Sequence, residues 1–228
     1  MLAIFDLDQT LIDSLEKFYI VFNQSLKFFN GKTIDWNTFY ENYARDTLNK
    51  FIPKNVCKED FWNYFLENYD NFGGRSKVID GAIEALVKLR ERGFKIIVVT
   101  GRKSPPKVVE RELRQLGLMK YIDKLYTAYG DRGIGKDFSK KDLLKRILRD
   151  FHTRPDNCIF VSDYTPDIVV GKELGMYTIG VLTGLMPKNI LLNAGANIVI
   201  ESIKDITKIL NQISTIIDMN DEDETSRR

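Results

Sequence analysis

Residues 2–10 read Leu2-Ala3-Ile4-Phe5-Asp6-Leu7-Asp8-Gln9-Thr10: four apolar residues, then two carboxylates and a hydroxyl within five positions. A short apolar run closed by polar residues has the length of a buried strand. The polar cluster leaves from the strand's C-terminal end, and in an open α/β sheet that edge is where ligands bind. Side chains alternate along an extended segment, so Asp6 and Asp8 start on one face and can point into one pocket. Two like charges in one pocket are unfavourable unless a cation or a proton neutralises them. Magnesium suits such hard carboxylate oxygens. A lone pair of aspartates is also ordinary turn and cap chemistry, so the rest of the chain has to decide.

Working outward, further apolar or β-branched runs at 95–99, 124–128, 158–161, 178–181 and 197–200 read as strands. Amphipathic stretches lie between them. Residues 82–92 place Ile83, Leu86, Val87 and Arg90 at helical spacing, with Gly93 as the stop, and 140–151 repeat the pattern through Leu143, Leu144, Ile147 and Leu148. The alternation predicts an α/β fold with a three-layer, mostly parallel sheet core of Rossmann-like type. Residues 14–77 break it. They carry most of the aromatics, among them Phe18, Phe22, Phe29, Trp36, Phe39, Tyr43, Phe61, Trp62, Phe65 and Tyr69, and contain no clear strand. This segment is expected to form a helical lid inserted into the core, with Gly73 and Gly74 easing the return crossing. The core is then 1–13 with 78–215, and the polar end, 216–228, reads as a disordered tail.

The chain of 228 residues, 43% hydrophobic, is long enough for one sizeable core plus a smaller inserted unit. Its net charge of +2 gives no reason to expect nucleic acid or an anionic membrane as partner. No run of about 18 apolar residues appears, and the first residues lack the basic start and long apolar stretch of a signal peptide. Cys57 and Cys158 are far apart and suggest neither a disulfide framework nor a zinc site. A soluble, cytoplasmic protein is the expectation, and nothing in the pattern speaks to oligomeric state.

Three other segments carry chemistry. The run Ile96-Ile97-Val98-Val99 ends in Thr100-Gly101-Arg102, where a hydroxyl, free backbone N–H groups and a cation could hold phosphate oxygens. Phe138-Ser139-Lys140-Lys141-Asp142 opens a helix, with Ser139 as N-cap. A lysine there could neutralise an anionic reaction centre. Lys136, Lys140 and Lys141 compete for the role, and Lys140 is preferred because it lies three residues before the first buried-type Leu143. Finally Cys158-Ile159-Phe160-Val161 runs into Ser162-Asp163-Tyr164-Thr165-Pro166-Asp167. Asp163 is placed to share a metal with Asp6, with Asp167 behind it orienting ligands or Lys140.

In this order the four segments resemble the haloacid dehalogenase-like hydrolases, of the phosphoglycolate phosphatase-like kind with a helical cap after the first strand. The matching residues are Asp6, Asp8 and Thr10, then Thr100, then a lysine, then Asp163 and Asp167. Gln9 stands where that family commonly has Gly, and so does Ser162. The resemblance implies a magnesium-dependent phosphatase acting on a small phosphorylated metabolite. Asp6 would be the nucleophile, forming an aspartyl-phosphate, and Asp8 the general acid and base, with a raised pKa in the substrate complex. Asp6, Asp163 and the Asp8 backbone carbonyl would hold Mg2+. Thr100 and Lys140 would hold the phosphoryl oxygens, with Thr10, Gly101 and Arg102 also at the phosphate. A phosphomutase would share every one of these residues. A signalling module that only accepts phosphate on an aspartate differs in chain order, because here the candidate acceptor lies on the first strand and a large lid follows.

Overall fold

The computed structural model describes residues 1–71, 76–129 and 140–213. The expectations for Gly73 and Gly74, for Lys136 and the Ser139 cap, and for the tail at 216–228 lie outside them. Strand β1 (Leu2–Phe5) is followed by a two-residue strand β2 (Ile12–Asp13) and by helices α1 (Leu15–Phe28), α2 (Trp36–Ala44) and α3 (Lys58–Tyr69). The chain returns through β3 (Lys77–Val78) and continues as α4 (Ala82–Glu91), β4 (Lys95–Thr100), α5 (Pro106–Gln115), β5 (Lys124–Thr127), α6 (Lys141–Asp150), β6 (Cys158–Ser162), α7 (Thr165–Leu174), β7 (Tyr177–Val181), α8 (Lys188–Asn193) and β8 (Ile198–Ile200).

Six strands form one parallel sheet in the order β5-β4-β1-β6-β7-β8. The order reverses at β1, which lies between β4 and β6, so the end of β1 is the topological switch point where α/β sheets open a crevice. The α/β expectation therefore holds. The sheet is covered on both faces, as parallel sheets are, and the alternation along β1 shows how. Ala3 and Phe5 join a buried cluster with Ala82, Ala85, Leu86 and Leu89 of α4 and with Val109 and Leu113 of α5. Leu2 and Ile4 turn to the other face, against Leu143, Leu144 and Ile147 of α6 and Val170 of α7. Asp6 continues the second face, the one whose covering helix, α6, begins beside Lys140.

The short strands β2 and β3 pair antiparallel, Ile12 with Val78 and Asp13 with Lys77, and so bring the two ends of the helical segment together. Reading by periodicity alone missed this pair because two residues carry no period. Between them α1, α2 and α3 pack a cluster of their own around Phe22, Phe39, Phe61 and Phe65. Phe18, partly buried, packs against it, with ring centroids 4.5 Å from Phe65 and 5.2 Å from Tyr43. Burying a phenylalanine contributes about 1.5–3 kcal/mol, so these rings account for most of what holds the layer together. Asp35 caps α2 by accepting from the Thr38 N–H at 3.0 Å. Among the described residues no helix is long and apolar enough to cross a membrane.

Candidate active site

Asp6 and Lys140 meet at the switch point. Asp6 is only 5% exposed and its N–H donates to the Val161 carbonyl at 2.9 Å, which fixes the loop after β1 against β6. Lys140, 8% exposed, donates to Asp6 Oδ1 and, at 2.5 Å, to Asp167 Oδ2. Ser162 Oγ donates to the same Asp167 oxygen at 2.8 Å, so Asp167 is held by a hydroxyl and a cation together. The Ser162 hydroxyl thus gives Asp167 a donor that a glycine could not supply. Lys141, its neighbour in sequence, points elsewhere and pairs with Glu173 at 2.7 Å on the surface.

Asp163 completes this group. Its Oδ1 accepts from Thr10 Oγ1 at 3.1 Å, although the two residues are 153 positions apart. Thr10 is fully buried in that contact; its hydroxyl is given to Asp163, where the sequence led to the expectation of a phosphate contact. Gly184, in the turn after β7, lies so close that a Cβ there would collide with the Asp163 carboxylate. The neighbouring Thr183 hydroxyl donates to the Gln9 carbonyl, tying the same turn to the loop after β1. Gln9 has φ +60°, in the left-handed region that favours glycine. Its side chain explains how a glutamine is kept there: oriented to satisfy its neighbours, the amide oxygen accepts from the Ser14 and Leu15 N–H groups, each at 2.9 Å.

The electrostatics follow from crowding. Burial pushes the Asp6 carboxyl up, and the negative charges of Asp167 and Asp8 add to it; Lys140 pulls it down only in part, leaving it at about 6. Asp163 is likewise held well above the usual carboxylate range by burial and by the charge of Asp6. Burial works against the Lys140 ammonium, but Asp167 and Asp6 outweigh it and keep the lysine charged. Asp6, Asp163 and Asp167 share one lysine, so the group carries an excess of negative charge.

Thr100 is buried at the end of β4, the strand beside β1, and its hydroxyl accepts from the Arg102 N–H at 3.2 Å. Gly101, between them, is half-buried. The Arg102 side chain is not turned toward Lys140 and Asp163. Its guanidinium grips Asp8, from Nε to Oδ2 at 2.8 Å and from Nη2 to Oδ1 at 2.6 Å, and also meets Asp70 at 2.9 Å and Glu112. The expected role of Arg102 as a phosphate ligand would require it to leave these carboxylates. Asp8 further accepts from Ser14 Oγ at 2.6 Å and from the Tyr69 hydroxyl at 3.2 Å. Burial alone would raise the Asp8 pKa, but Arg102 first, then Ser14 and Lys17, bring it down to about 2. Asp8 is thus a carboxylate in the free site, whereas the raised pKa is expected of the substrate complex. Ser14, Asp70 and Glu112 had no sequence signal beyond their polarity and Tyr69 only that of a lid aromatic, because only the meeting of the α1 and α3 ends with α5 brings Ser14 and Tyr69 to Asp8 and brings Asp70 and Glu112 to Arg102.

A sequence profile of haloacid dehalogenase-like hydrolases matches residues 3–181. Pyrophosphatase PpaX of Bacillus cereus is 24% identical over 224 residues, covering 93% of this chain and 97% of its own. Phosphoglycolate phosphatase of Colwellia psychrerythraea is 24% identical over 195 residues, covering 79% of this chain and 84% of its own. A solved haloacid dehalogenase-like family hydrolase from Streptococcus pneumoniae superposes with a TM-score of 0.74 at 17% identity, over 91% of this chain and 97% of its own, and shares the fold. With the profile spanning both the sheet and the segments that carry Asp6, Lys140 and Asp163, the chain belongs to the haloacid dehalogenase-like hydrolases.

Proposed function

We propose that this hydrolase is a magnesium-dependent phosphatase that passes the phosphoryl group of a small phosphorylated compound to Asp6 and then to water. The observation that carries the reading is the buried pair of Asp6 and Lys140 at the switch point of the sheet, with Asp163 beside it. A carboxylate held there by a lysine and crowded by other carboxylates is a nucleophile waiting for a cation and an anionic substrate. The names of the two relatives, a pyrophosphatase and a phosphoglycolate phosphatase, support a small phosphate ester or anhydride as substrate.

The donor set fits magnesium. Asp6 and Asp163 are buried oxygen donors, and the charge of Asp6 raises the proton affinity of Asp163, which is the strain a cation relieves. Among the described residues no three His, Cys, Asp or Glu side chains are arranged to hold a metal. Magnesium does not require that, since one or two carboxylates with waters and substrate phosphate commonly suffice. The Asp6 and Asp163 side chains and the Asp8 carbonyl would hold it. Bound there, it supplies charge neutralisation for the phosphate oxygens.

The chain's own residues then do the following. Asp6 attacks phosphorus, the bond to the leaving oxygen breaks, and Asp8, a carboxylate in the free site that must take up a proton as substrate binds, gives that oxygen the proton. Asp8 next takes a proton from water, whose oxygen bonds to phosphorus as the bond to Asp6 breaks, and both carboxyl groups return to their starting states. Lys140 and Thr100 hold the phosphoryl oxygens, while Asp167 and Ser162 keep Lys140 in line. Incubation with magnesium and p-nitrophenyl phosphate, phosphoglycolate or inorganic pyrophosphate should release phosphate over many turnovers. A single stoichiometric phosphorylation would favour the signalling module, and transfer to a sugar phosphate in preference to water would favour the phosphomutase. Absence of turnover on every phosphate compound tried with magnesium would defeat the proposal.

A further inference from the structure

Arg102 has a role that neither the family's motif residues nor the proposed reaction assigns. It is 3% exposed and spends Nε and Nη2 on the two oxygens of Asp8, and Nη1 on Asp70 and Glu112. A guanidinium has five N–H donors, so the fork is nearly saturated by protein carboxylates. The partners come from different parts of the fold. Asp8 lies in the loop after β1, Asp70 follows α3, and Glu112 is on α5. Lys17 of α1 reaches Asp70 at 3.3 Å and Glu112 at 3.4 Å, and Ser76, just before β3, donates to Glu112 at 2.6 Å. The Tyr69 ring lies under both cations, 4.9 Å from Arg102 and 4.5 Å from Lys17. Both ends of the helical layer therefore close on Arg102.

The two oxygens of Asp8 are treated differently. Oδ1 accepts from Ser14, Tyr69 and Arg102, whereas among the described residues Oδ2 accepts from Arg102 alone. The Asp8 side chain keeps 26% of its surface exposed, against 3% for Arg102. Oδ1 is held by three donors and Oδ2 by one, on a side chain that is not wholly covered.

We infer that Arg102 is a positioning residue: it orients Asp8 so that Oδ2 faces the leaving oxygen, and it ties that orientation to the closed ends of the helical layer. The inference rests on the proposed proton transfer by Asp8. A lysine cannot reproduce the two-point grip, because an ammonium is a point charge without the planar fork. A misplacement of about 1 Å in a reacting group lowers a rate by about 10²-fold.

The test compares an alkyl phosphate, whose leaving group needs a proton, with p-nitrophenyl phosphate, whose leaving group departs readily without one. Wild type, Arg102→Lys, Arg102→Ala and Tyr69→Phe are assayed as full chains with magnesium, after circular dichroism has established folding. In Arg102→Lys, kcat/KM for the alkyl ester should fall by about 10²-fold and that for the aryl ester much less. Arg102→Ala should show the same asymmetry, relieved by added guanidinium. Tyr69→Phe, which keeps the ring and removes one donor from Oδ1, should show a smaller asymmetry of the same sign and serves if neither arginine variant folds. Equal losses on both esters, or no loss, would overturn the positioning role. A wild-type protein inactive on both esters would instead strike at the proposed function.

Discussion

Replacing Lys140 by methionine removes the only cation hydrogen-bonded to Asp6 and Asp167 among the described residues and leaves a side chain of similar length in its place. Asp6, Asp163 and Asp167, all buried, would then face one another without it. Breaking a buried ion pair by removing one partner destabilises a protein by about 3–5 kcal/mol, because the remaining charge stays out of water. For a chain of this size 1 kcal/mol moves the midpoint by about 2–4 °C, so the loss should be roughly 6–20 °C. The control is Lys141→Met. Lys141 pairs with Glu173 across a surface where the two side chains are 41% and 51% exposed, and such a pair is worth under about 1 kcal/mol. Thermal unfolding with a chelator present, followed by circular dichroism near neutral pH, should separate the two variants clearly. Lys140→Met should also lose turnover while Lys141→Met keeps it. Equal midpoints for the two variants would refute the placement of Lys140 as the counter-charge of the site.

Other consequences can be checked on the same protein. Because the Asp6 carboxyl is raised from 3.8 to about 6 in the folded state, that state binds more protons than the unfolded chain between those values, and stability falls as pH rises through the window. Asp6→Asn has no such titration, so the stability of metal-free Asp6→Asn relative to wild type should rise by about 3 kcal/mol between pH ~4 and pH ~6; a difference independent of pH would contradict this. Gly184→Ala pushes a methyl into the Asp163 carboxylate. It should cost about 1–3 kcal/mol and shift the magnesium dependence of activity to higher concentration, and an unchanged magnesium titration would count against the proximity argued here. At Gln9, glycine relieves a left-handed backbone worth about 1–2 kcal/mol but forfeits the amide's bonds to Ser14 and Leu15. Gln9→Gly should therefore be nearly neutral and Gln9→Ala, which keeps the strain and loses the bonds, clearly worse by denaturant unfolding; the reverse order would show that the side chain does not hold the turn.

The sheet was legible because its central strands are buried on both faces. Ile96-Ile97-Val98-Val99 and Cys158-Ile159-Phe160-Val161 have no polar face to interrupt them, and the six strands agree with the sequence reading to within a residue at either end. Lys140 stands where helical spacing puts it, one turn before Leu143 and Leu144 on the buried face of α6. Arg102 and Thr10 pair differently from what local sequence suggests, for a shared reason. Each is a polar residue beside a strand end, where local sequence suggests an anion ligand, and each is claimed by a carboxylate distant in sequence. Asp8 lies 94 residues from Arg102, and Asp163 lies 153 from Thr10. No local pattern encodes such a pairing; it arises only once β1, β4 and β6 are side by side. Ser162 is a milder case, since the hydroxyl that replaces a glycine has its partner only five residues away, at Asp167.

The central claim is that the phosphoryl group rests on Asp6 during turnover. The most direct test is to quench the enzyme in acid while it turns over a radiolabelled phosphate ester with magnesium, digest it, and locate the label. The account predicts acid-stable, base-labile label on the peptide that carries Asp6, and none in Asp6→Asn. Rapid phosphate release with no label retained on that peptide, or wild-type turnover by Asp6→Asn, would contradict it.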